Sequence, residues 1–156
     1  MSRPLRPPIG RQLASTAKTV SRAFDDELAA AGGSVPVWLV LISLKSQRLR
    51  NQRELAAAVG IREATLTHHL NSMDEQGLIT RRRDPANRRV HLVEMTDAGE
   101  AAFYRLRDAA MDFDQRLRAG LSDEDITRLA DLLGRLEANV TGTTSLPGPP
   151  AATVPG

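Results

Sequence analysis

The stretch NQRELAAAVGIREATLTHHLNSMDEQGLITRRRDPANRRVHLV, residues 51–93, decides the fold of this chain. Two groups of apolar residues recur in it at helical spacings: Leu55, Ala56 and Val59 in the first, and Leu66, Leu70 and Met73 in the second. Each group marks the buried face of an amphipathic helix. The stretch therefore predicts a short helix, a turn, and a second helix over about residues 62–76.

Local signals set the ends of both helices. Asn51 followed three residues later by Glu54 has the pattern of a capping box, which predicts the start of the first helix. Gly60 and Gly77 stand where the two helices must end, at positions that favour a residue tolerant of positive φ.

An arginine-rich hairpin follows the second helix. Leu78 and Ile79 are expected to open one strand, and Arg88 and Arg89 to begin the return strand. The residues between them, DPAN at 84–87, are of types that favour a turn. Two helices followed by a hairpin predict a winged helix-turn-helix.

The flanking sequence predicts long helices on both sides of this core. We expect a mainly α fold with a small β-hairpin wing, with the winged helix-turn-helix at 34–96 and the flanking helices at 9–33 and 97–140. Residues 1–8, with three prolines, are expected to form a flexible arm, and the Pro/Gly/Thr-rich residues 141–156 a disordered tail.

Capping residues and one all-apolar segment complete this organisation. Ser34 and Pro36 open a helix, VWLVLISL at 37–44, that is apolar on nearly every side and should be central to the core. For Trp38 within it, core packing is favoured over a ligand pocket. Thr96 and Ser122 are the expected N-caps of the two last helices.

Composition and charge narrow the class of protein. The net charge of the 156 residues is +2, but residues 47–93 carry nine basic against five acidic side chains and residues 94–140 six against eleven. A basic block beside an acidic one is typical of a nucleic-acid-binding face on a separate scaffold, although a solvated surface can be equally uneven. The absence of cysteine excludes disulfides and thiolate metal sites on this chain. With no apolar run long enough for a membrane span or a signal peptide, we expect a cytoplasmic protein.

The second helix of the core has the features of a DNA recognition helix. Its polar face is expected to touch base edges, thymine methyls or phosphates through Arg62, Ala64, Thr65, Thr67, His68 and Asn71. Glu63 would repel phosphates, so it is expected to accept from a cytosine amine or to pair with an arginine.

The hairpin is predicted to act as a DNA-binding wing. Arg88 and Arg89 are the best candidates for a narrow minor groove, with Arg83 at the base of the wing and Asp84 expected to pair with an arginine and hold it in place. The alternative is that these arginines only keep an exposed edge strand from pairing with other chains.

Neither catalysis nor a cofactor is indicated. His68 and His69 are adjacent, so on a helix they point about 100° apart, and His91 lies on the hairpin. A metal site is therefore not expected. No phosphate-binding glycine loop and no nucleophile–base pattern occurs, so we expect neither an enzyme nor a bound cofactor.

The segment GIREATLTHHLNSMDEQGLITRRRDPANRRVHLVEMTDAG resembles the MarR family of bacterial winged-helix transcriptional regulators. The motifs that carry the resemblance are Gly-Leu-Ile with Arg81, the wing that ends in Arg88-Arg89, and the Met-Thr and Ala-Gly pairs before the next helix. With the flanking helices it covers about residues 9–140. Asn87 stands where Asp is common in the family, and Arg62 where a small capping residue is usual.

The resemblance implies properties that the residues alone do not. Family members are typically homodimers whose first and last helices interlock, which makes 9–33 and 97–140 the dimerisation region. They bind short palindromic operators, often repress, and often release DNA when a phenolic or other small ligand binds. The implied partners are double-stranded DNA, a second copy of the chain and a small-molecule effector, with no membrane. The alternative hypothesis is a winged-helix protein–protein interaction module whose basic wing binds an acidic partner.

We predict that DNA binding depends on pH through His68. Histidine is the side chain whose charge changes near neutral pH, so a groove-facing His68 would make DNA binding sensitive to pH. Operator affinity measured at pH 6 and pH 7.5 should change less in His68→Gln than in the wild type. An identical pH dependence in both proteins would exclude this role.

Overall fold

The computed structural model describes residues 8–47 and 51–142. Six helices and two strands lie in these ranges: α1 Ile9–Ala30, α2 Val35–Gln47, α3 Gln52–Val59, α4 Glu63–Glu75, β1 Ile79–Arg83, β2 His91–Met95, α5 Asp97–Leu117 and α6 Asp123–Thr141. The predicted fold class, mainly α with a small β hairpin, is confirmed. Residues 1–7 of the expected arm and 143–156 of the expected tail lie outside the described residues.

The chain divides into two compact units, Met1–Asp114 and Gln115–Gly156. The core belongs to the first unit, and its buried apolar side chains are Leu28, Trp38, Val40, Leu41, Leu55, Ala56, Leu66, Leu70, Met73, Ile79, Val93, Ala102, Phe103 and Leu106. The second unit contains α6, which has no buried residue. The functional division at residues 34 and 97 stays a prediction.

α2 is the central helix of the first unit, as its apolar sequence predicts. It packs against α1, α3, α4 and β2. Trp38 is 9% exposed, and its ring stacks on that of Phe103 with centroids 5.7 Å apart, so its predicted core role is confirmed. At the C-terminal end of α2, Lys45 pairs with Glu100 in the first turn of α5. That bond is the main cause of the raised pKa of Lys45.

The two strands form an antiparallel hairpin in which Ile79 pairs with Met95 and Arg83 with His91. The return strand therefore begins at His91, and the expectation that Arg88 and Arg89 begin it was wrong. Both arginines lie in the turn, because the loop extends to Val90 before the return strand begins. Asp84 N–H donates to Val90 O at 2.9 Å across the base of this loop, and Val90 N–H donates to Asn87 O at 2.8 Å within it.

Thr96 connects the end of α4, the hairpin and the start of α5. Its hydroxyl donates to Gly77 O at 2.6 Å and accepts from Gly99 N–H at 3.0 Å, which confirms it as a cap. Its backbone N–H donates to Leu78 O at 3.1 Å. Leu78 N–H itself donates to Met73 O, so Leu78 closes α4 rather than opening β1.

α6 carries a complete local cap. The Ser122 hydroxyl accepts from Asp125 N–H at 3.1 Å, and the Asp125 carboxylate accepts from Ser122 N–H at 3.0 Å, which makes a capping box. The bonds to Ser122, chiefly that from its backbone N–H, lower the pKa of Asp125. The predicted cap at Ser122 is confirmed.

Within the described residues, no single helix is long and apolar enough to cross a membrane. Ile9–Ala30 and Val35–Ser46 pass the test of length and composition only as a pair bent by 76°. That is weak evidence for a span, because a buried core helix passes the same test.

We predict that Gly99→Ala strongly destabilises the protein. A Cβ at Gly99 would lie 1.9 Å from the Leu78 carbonyl oxygen, which is backbone and cannot swing away as a side chain would. The junction at Thr96 would have to shift, at a cost of about 1–3 kcal/mol or more in the free energy of unfolding. Urea denaturation followed by circular dichroism measures this change.

Gly134→Ala is the matched control for that substitution. Gly134 also lies in a helix, but a Cβ there meets nothing within 4 Å. Replacement by alanine should therefore leave stability unchanged or raise it by up to about 1 kcal/mol through helix propensity. Equal effects of the two substitutions would contradict the close contact at Gly99.

Candidate nucleic-acid interface

α4 is the element that carries the predicted recognition surface. Leu66, Leu70 and Met73 are all 0% exposed, which confirms the buried face expected from their spacing. They hold α4 against α2, α3 and β1. The preceding turn has Gly60 at φ 75°, as predicted. At the start of α3, Asn51 Oδ1 accepts from Glu54 N–H at 2.8 Å, which is the one bond of the predicted capping box that the described residues show. The opposite face of α4 remains in solvent.

Most of the predicted base-reading side chains lie on this exposed face. They are Arg62, Ala64, Thr65, His68 and Asn71. Arg62 is the N-cap residue in an extended conformation and makes no side-chain capping bond, so its guanidinium is not used to start the helix. The His68 ring lies edge-on to that of His69, with centroids 5.9 Å apart, and His69 is half-buried. Contact of these residues with DNA stays a prediction.

Thr67 differs from the other five residues. It is half-buried, and its hydroxyl donates to Glu63 O at 2.9 Å while accepting from the side-chain amide of Gln52. The hydroxyl therefore binds within the protein, and the methyl group is the part of Thr67 left for a thymine. Gln52 was missed by sequence reasoning, because it lies on another helix and no local spacing links it to Thr67.

The C-terminal end of α4 is tied to the hairpin by an ion pair. Arg81 Nε on β1 lies 3.2 Å from Asp74 Oδ2 on α4, and the Arg81 side chain is 24% exposed. Gly77, at φ 71°, ends the helix as predicted. α4 and the hairpin are thus joined by an ion pair as well as by the chain.

The wing tip is shaped by two side chains that bind backbone N–H groups two residues later. Asp84 Oδ1 accepts from Ala86 N–H at 2.9 Å, and Asn87 Oδ1 accepts from Arg89 N–H at 3.2 Å. The expectation that Asp84 holds an arginine in an ion pair is corrected by this arrangement: its carboxylate holds the turn. Its charge is only a minor contribution to the raised pKa of Arg82, which comes mainly from a hydrogen bond to Glu94.

The wing arginines differ in whether they have a partner. Arg82 lies 2.8 Å from Glu94 across the hairpin. Arg83, Arg88 and Arg89 are exposed, and no carboxylate in residues 8–47 or 51–142 forms an ion pair with them. These three guanidinium groups, two at the tip and one at the end of β1, give the hairpin a cationic surface suited to an anionic partner.

The part of the chain that the structure describes contains no group of three histidine, aspartate or glutamate side chains close enough to hold a metal ion. The predicted site is made of hydrogen-bonding side chains on α4 and cationic side chains on the wing. This chemistry suits recognition of a polyanion.

The comparisons with known proteins agree with this geometry. Residues 34–91 match the model of the MarR family. An uncharacterized HTH-type transcriptional regulator of Bacillus subtilis (strain 168), YdgJ, is 31% identical over 90 residues, which are 58% of this chain. The match spans 55% of that relative, so the chain covers about half of its length.

Two solved structures extend the likeness over most of the chain. The transcriptional repressor CouR, bound to a 23-mer DNA duplex, is 27% identical with a TM-score of 0.74, covering 83% of this chain and 92% of its own. A MarR-family transcriptional regulator from Rhodococcus sp. RHA1 is 25% identical with a TM-score of 0.69, covering 92% and 100%. The winged helix-turn-helix at residues 34–91 thus matches the MarR family of transcriptional regulators, and the fold over most of the chain is similar to that of a solved MarR-family regulator.

Proposed function

We propose that this chain is a sequence-specific DNA-binding regulator that acts as a homodimer on a palindromic operator, with repression as its mode. The observation that carries the proposal is the exposed polar face of α4 beside a wing tip whose arginines have no partner in the described residues. CouR, similar over most of its length, is described as a repressor bound to duplex DNA. The site of action is then the cytoplasm, where the DNA lies.

In the proposed complex, α4 enters the major groove. Arg62 at its start suits a guanine or a phosphate, and Ala64 and Thr65 suit thymine methyl groups. His68 and Asn71, one and two turns along the exposed face, have the hydrogen-bonding groups that distinguish base edges. The residues that read sequence are thus separate from those that hold α4 in the core.

The wing supplies charge rather than base recognition. Arg88 and Arg89 at the tip are proposed to enter the minor groove, where they sense its width and negative potential, and Arg83 to contact the backbone. Asp84 and Asn87 serve this contact indirectly, because their bonds to Ala86 and Arg89 N–H hold the turn that carries the arginines.

A second copy of the chain is proposed to cover the apolar faces of the terminal helices. Large hydrophobic side chains on α1, α5 and α6 stay exposed in the single chain: Ile9, Leu13, Met111, Leu117, Leu129, Leu132, Leu133 and Val140, at 40% to 84%. Burying such surface stabilises by about 25 cal/mol per Å². A dimer would also supply the two copies of α4 that a palindrome requires. Release by a small-molecule effector, as the family resemblance implies, is part of the proposal.

We predict that wing and recognition-helix substitutions affect DNA binding differently. The probe is the duplex most enriched by the wild-type chain from a random double-stranded library, called here the selected duplex. Arg88→Ala should weaken binding to the selected and to unrelated duplexes alike, and should flatten the log–log salt dependence by about 0.9 per lost phosphate contact. Asn71→Ala should instead reduce discrimination against single-base variants, by about 1–3 kcal/mol at one position. Fluorescence anisotropy at several salt concentrations measures both effects.

Arg105→Ala, which removes an exposed arginine of α5 outside α4 and the wing, is the control and should bind as the wild type does. If Arg88→Ala and Asn71→Ala behave alike, the assignment of separate roles is wrong. A wild-type chain that enriches no duplex and shows no salt-dependent retention of DNA would favour the protein–protein interaction module.

We predict that Leu129→Asp dissociates the dimer. Leu129 is 47% exposed at the centre of the apolar face of α6, where a buried carboxylate in an interface would lack a partner. Thr127→Asp adds the same charge two residues away on the opposite face of the helix and should leave the dimer intact. Sedimentation equilibrium distinguishes the two masses. A monomeric wild type, or equal effects of both variants, would refute the role of this face.

A further inference from the structure

The side chain of Gln52 connects the two helices of the helix-turn-helix. Gln52 is the first residue of α3, and its amide nitrogen donates to the hydroxyl of Thr67 in the second turn of α4, 15 residues away in sequence. Both side chains are half-buried. The contact thus lies where the packed interior of the motif meets its solvent-exposed face.

The hydroxyl of Thr67 fixes the direction of this hydrogen bond. Its single proton goes to Glu63 O at 2.9 Å, so towards Gln52 the hydroxyl can only accept. Gln52 must then present its N–H rather than its carbonyl oxygen, which sets the orientation of the amide. Two consecutive hydrogen bonds therefore connect Gln52 on α3, through the Thr67 hydroxyl, to the carbonyl oxygen of Glu63, the first residue of α4.

The first two turns of α4 have few other directional contacts. Arg62 provides no side-chain cap, and the packing of Leu66 and Leu70 is apolar and therefore not directional. Among the described residues, Thr67 is the α4 side chain that hydrogen-bonds to another helix, while the Asp74–Arg81 pair acts at the far end. The Gln52–Thr67 bond is therefore the directional side-chain contact from another helix to the turns that carry the predicted base-reading residues.

We propose that Gln52 is a positioning residue for sequence recognition: through the Thr67 hydroxyl it sets the rotation of the first two turns of α4 in the major groove. This inference rests on the proposed DNA-binding function. It gives Thr67 a different task from its neighbours, because its hydroxyl holds α4 in place and does not read a base. A small rotation error would displace Ala64, Thr65 and His68 together, and the loss would fall on discrimination between sequences.

The test is a double-mutant cycle of Gln52→Ala and Thr67→Val. Valine keeps the shape and methyl group of threonine but removes the hydroxyl. The readout is the ratio of affinities for the selected duplex and for a scrambled duplex of the same composition. Each single substitution should lower this ratio about three- to tenfold, and the double substitution should lower it no further than the larger single effect. Thr67→Ser keeps the hydroxyl and should lose much less than Thr67→Val.

Gln76→Ala, which removes an exposed amide that bonds only to Ser72 at the far end of α4, is the control and should leave the ratio unchanged. Thermal unfolding of each variant shows whether the fold is intact, and Thr67→Val tests the contact from its other end if Gln52→Ala unfolds. Three outcomes overturn the proposal: a wild-type ratio in Gln52→Ala, losses that multiply in the double variant, or equal loss of affinity for both duplexes with a lowered melting temperature. If the wild type selects no duplex at all, the proposed function itself fails, and that result is distinct from the other three.

Discussion

The burial of Leu66, Leu70 and Met73 is the constraint on which the rest of the structure depends. These side chains are fully excluded from solvent, and their spacing of four and three places them on one face of α4. That face is buried because α3, β1 and the apolar helix α2 all pack against α4. Once this face of α4 is buried, the side that carries Ala64, His68 and Asn71 must point to solvent.

Periodicity and local chemistry predict the helices of this chain and their caps, but not the polar contacts between helices. The caps at Asn51, Thr96 and Ser122 were predictable because each bond spans three residues, and the turn at Gly60 because it needs a positive φ. The link from Gln52 to Thr67 was not predictable, since it spans two helices and depends on their crossing geometry. Hydrophobic patterning identifies the buried face of a helix, but it does not specify the polar contacts that fix its rotation.

In the hairpin loop, too, the residue types alone did not predict which hydrogen bonds form. A run of arginines next to a strand pattern suggested that the return strand starts at Arg88, whereas the hydrogen bonds of Asp84 and Val90 keep Arg88 in the turn. Aspartate near arginine suggested an ion pair, but a carboxylate can equally accept a backbone N–H two residues away, and Asp84 does so. Asn87 makes the same kind of bond without a negative charge. Asn87 thus holds its part of the turn with a neutral group, which adds no negative charge beside Arg88 and Arg89.

The exposed face of α4 and the exposed face of α6 differ in polarity. The outer face of α4 is polar, so its exposure to water costs little free energy. The face of α6 that carries Leu129, Leu132 and Leu133 is apolar, and these side chains remain at least 40% exposed although a capping box completes the helix locally. A cap stabilises a helix without removing apolar surface from water, so the hydrophobic effect still favours covering this face. DNA, being polar and anionic, would not cover it, and a second copy with the same apolar face would. The proposed dimer and the proposed DNA complex are therefore separate requirements, and the first does not depend on the second.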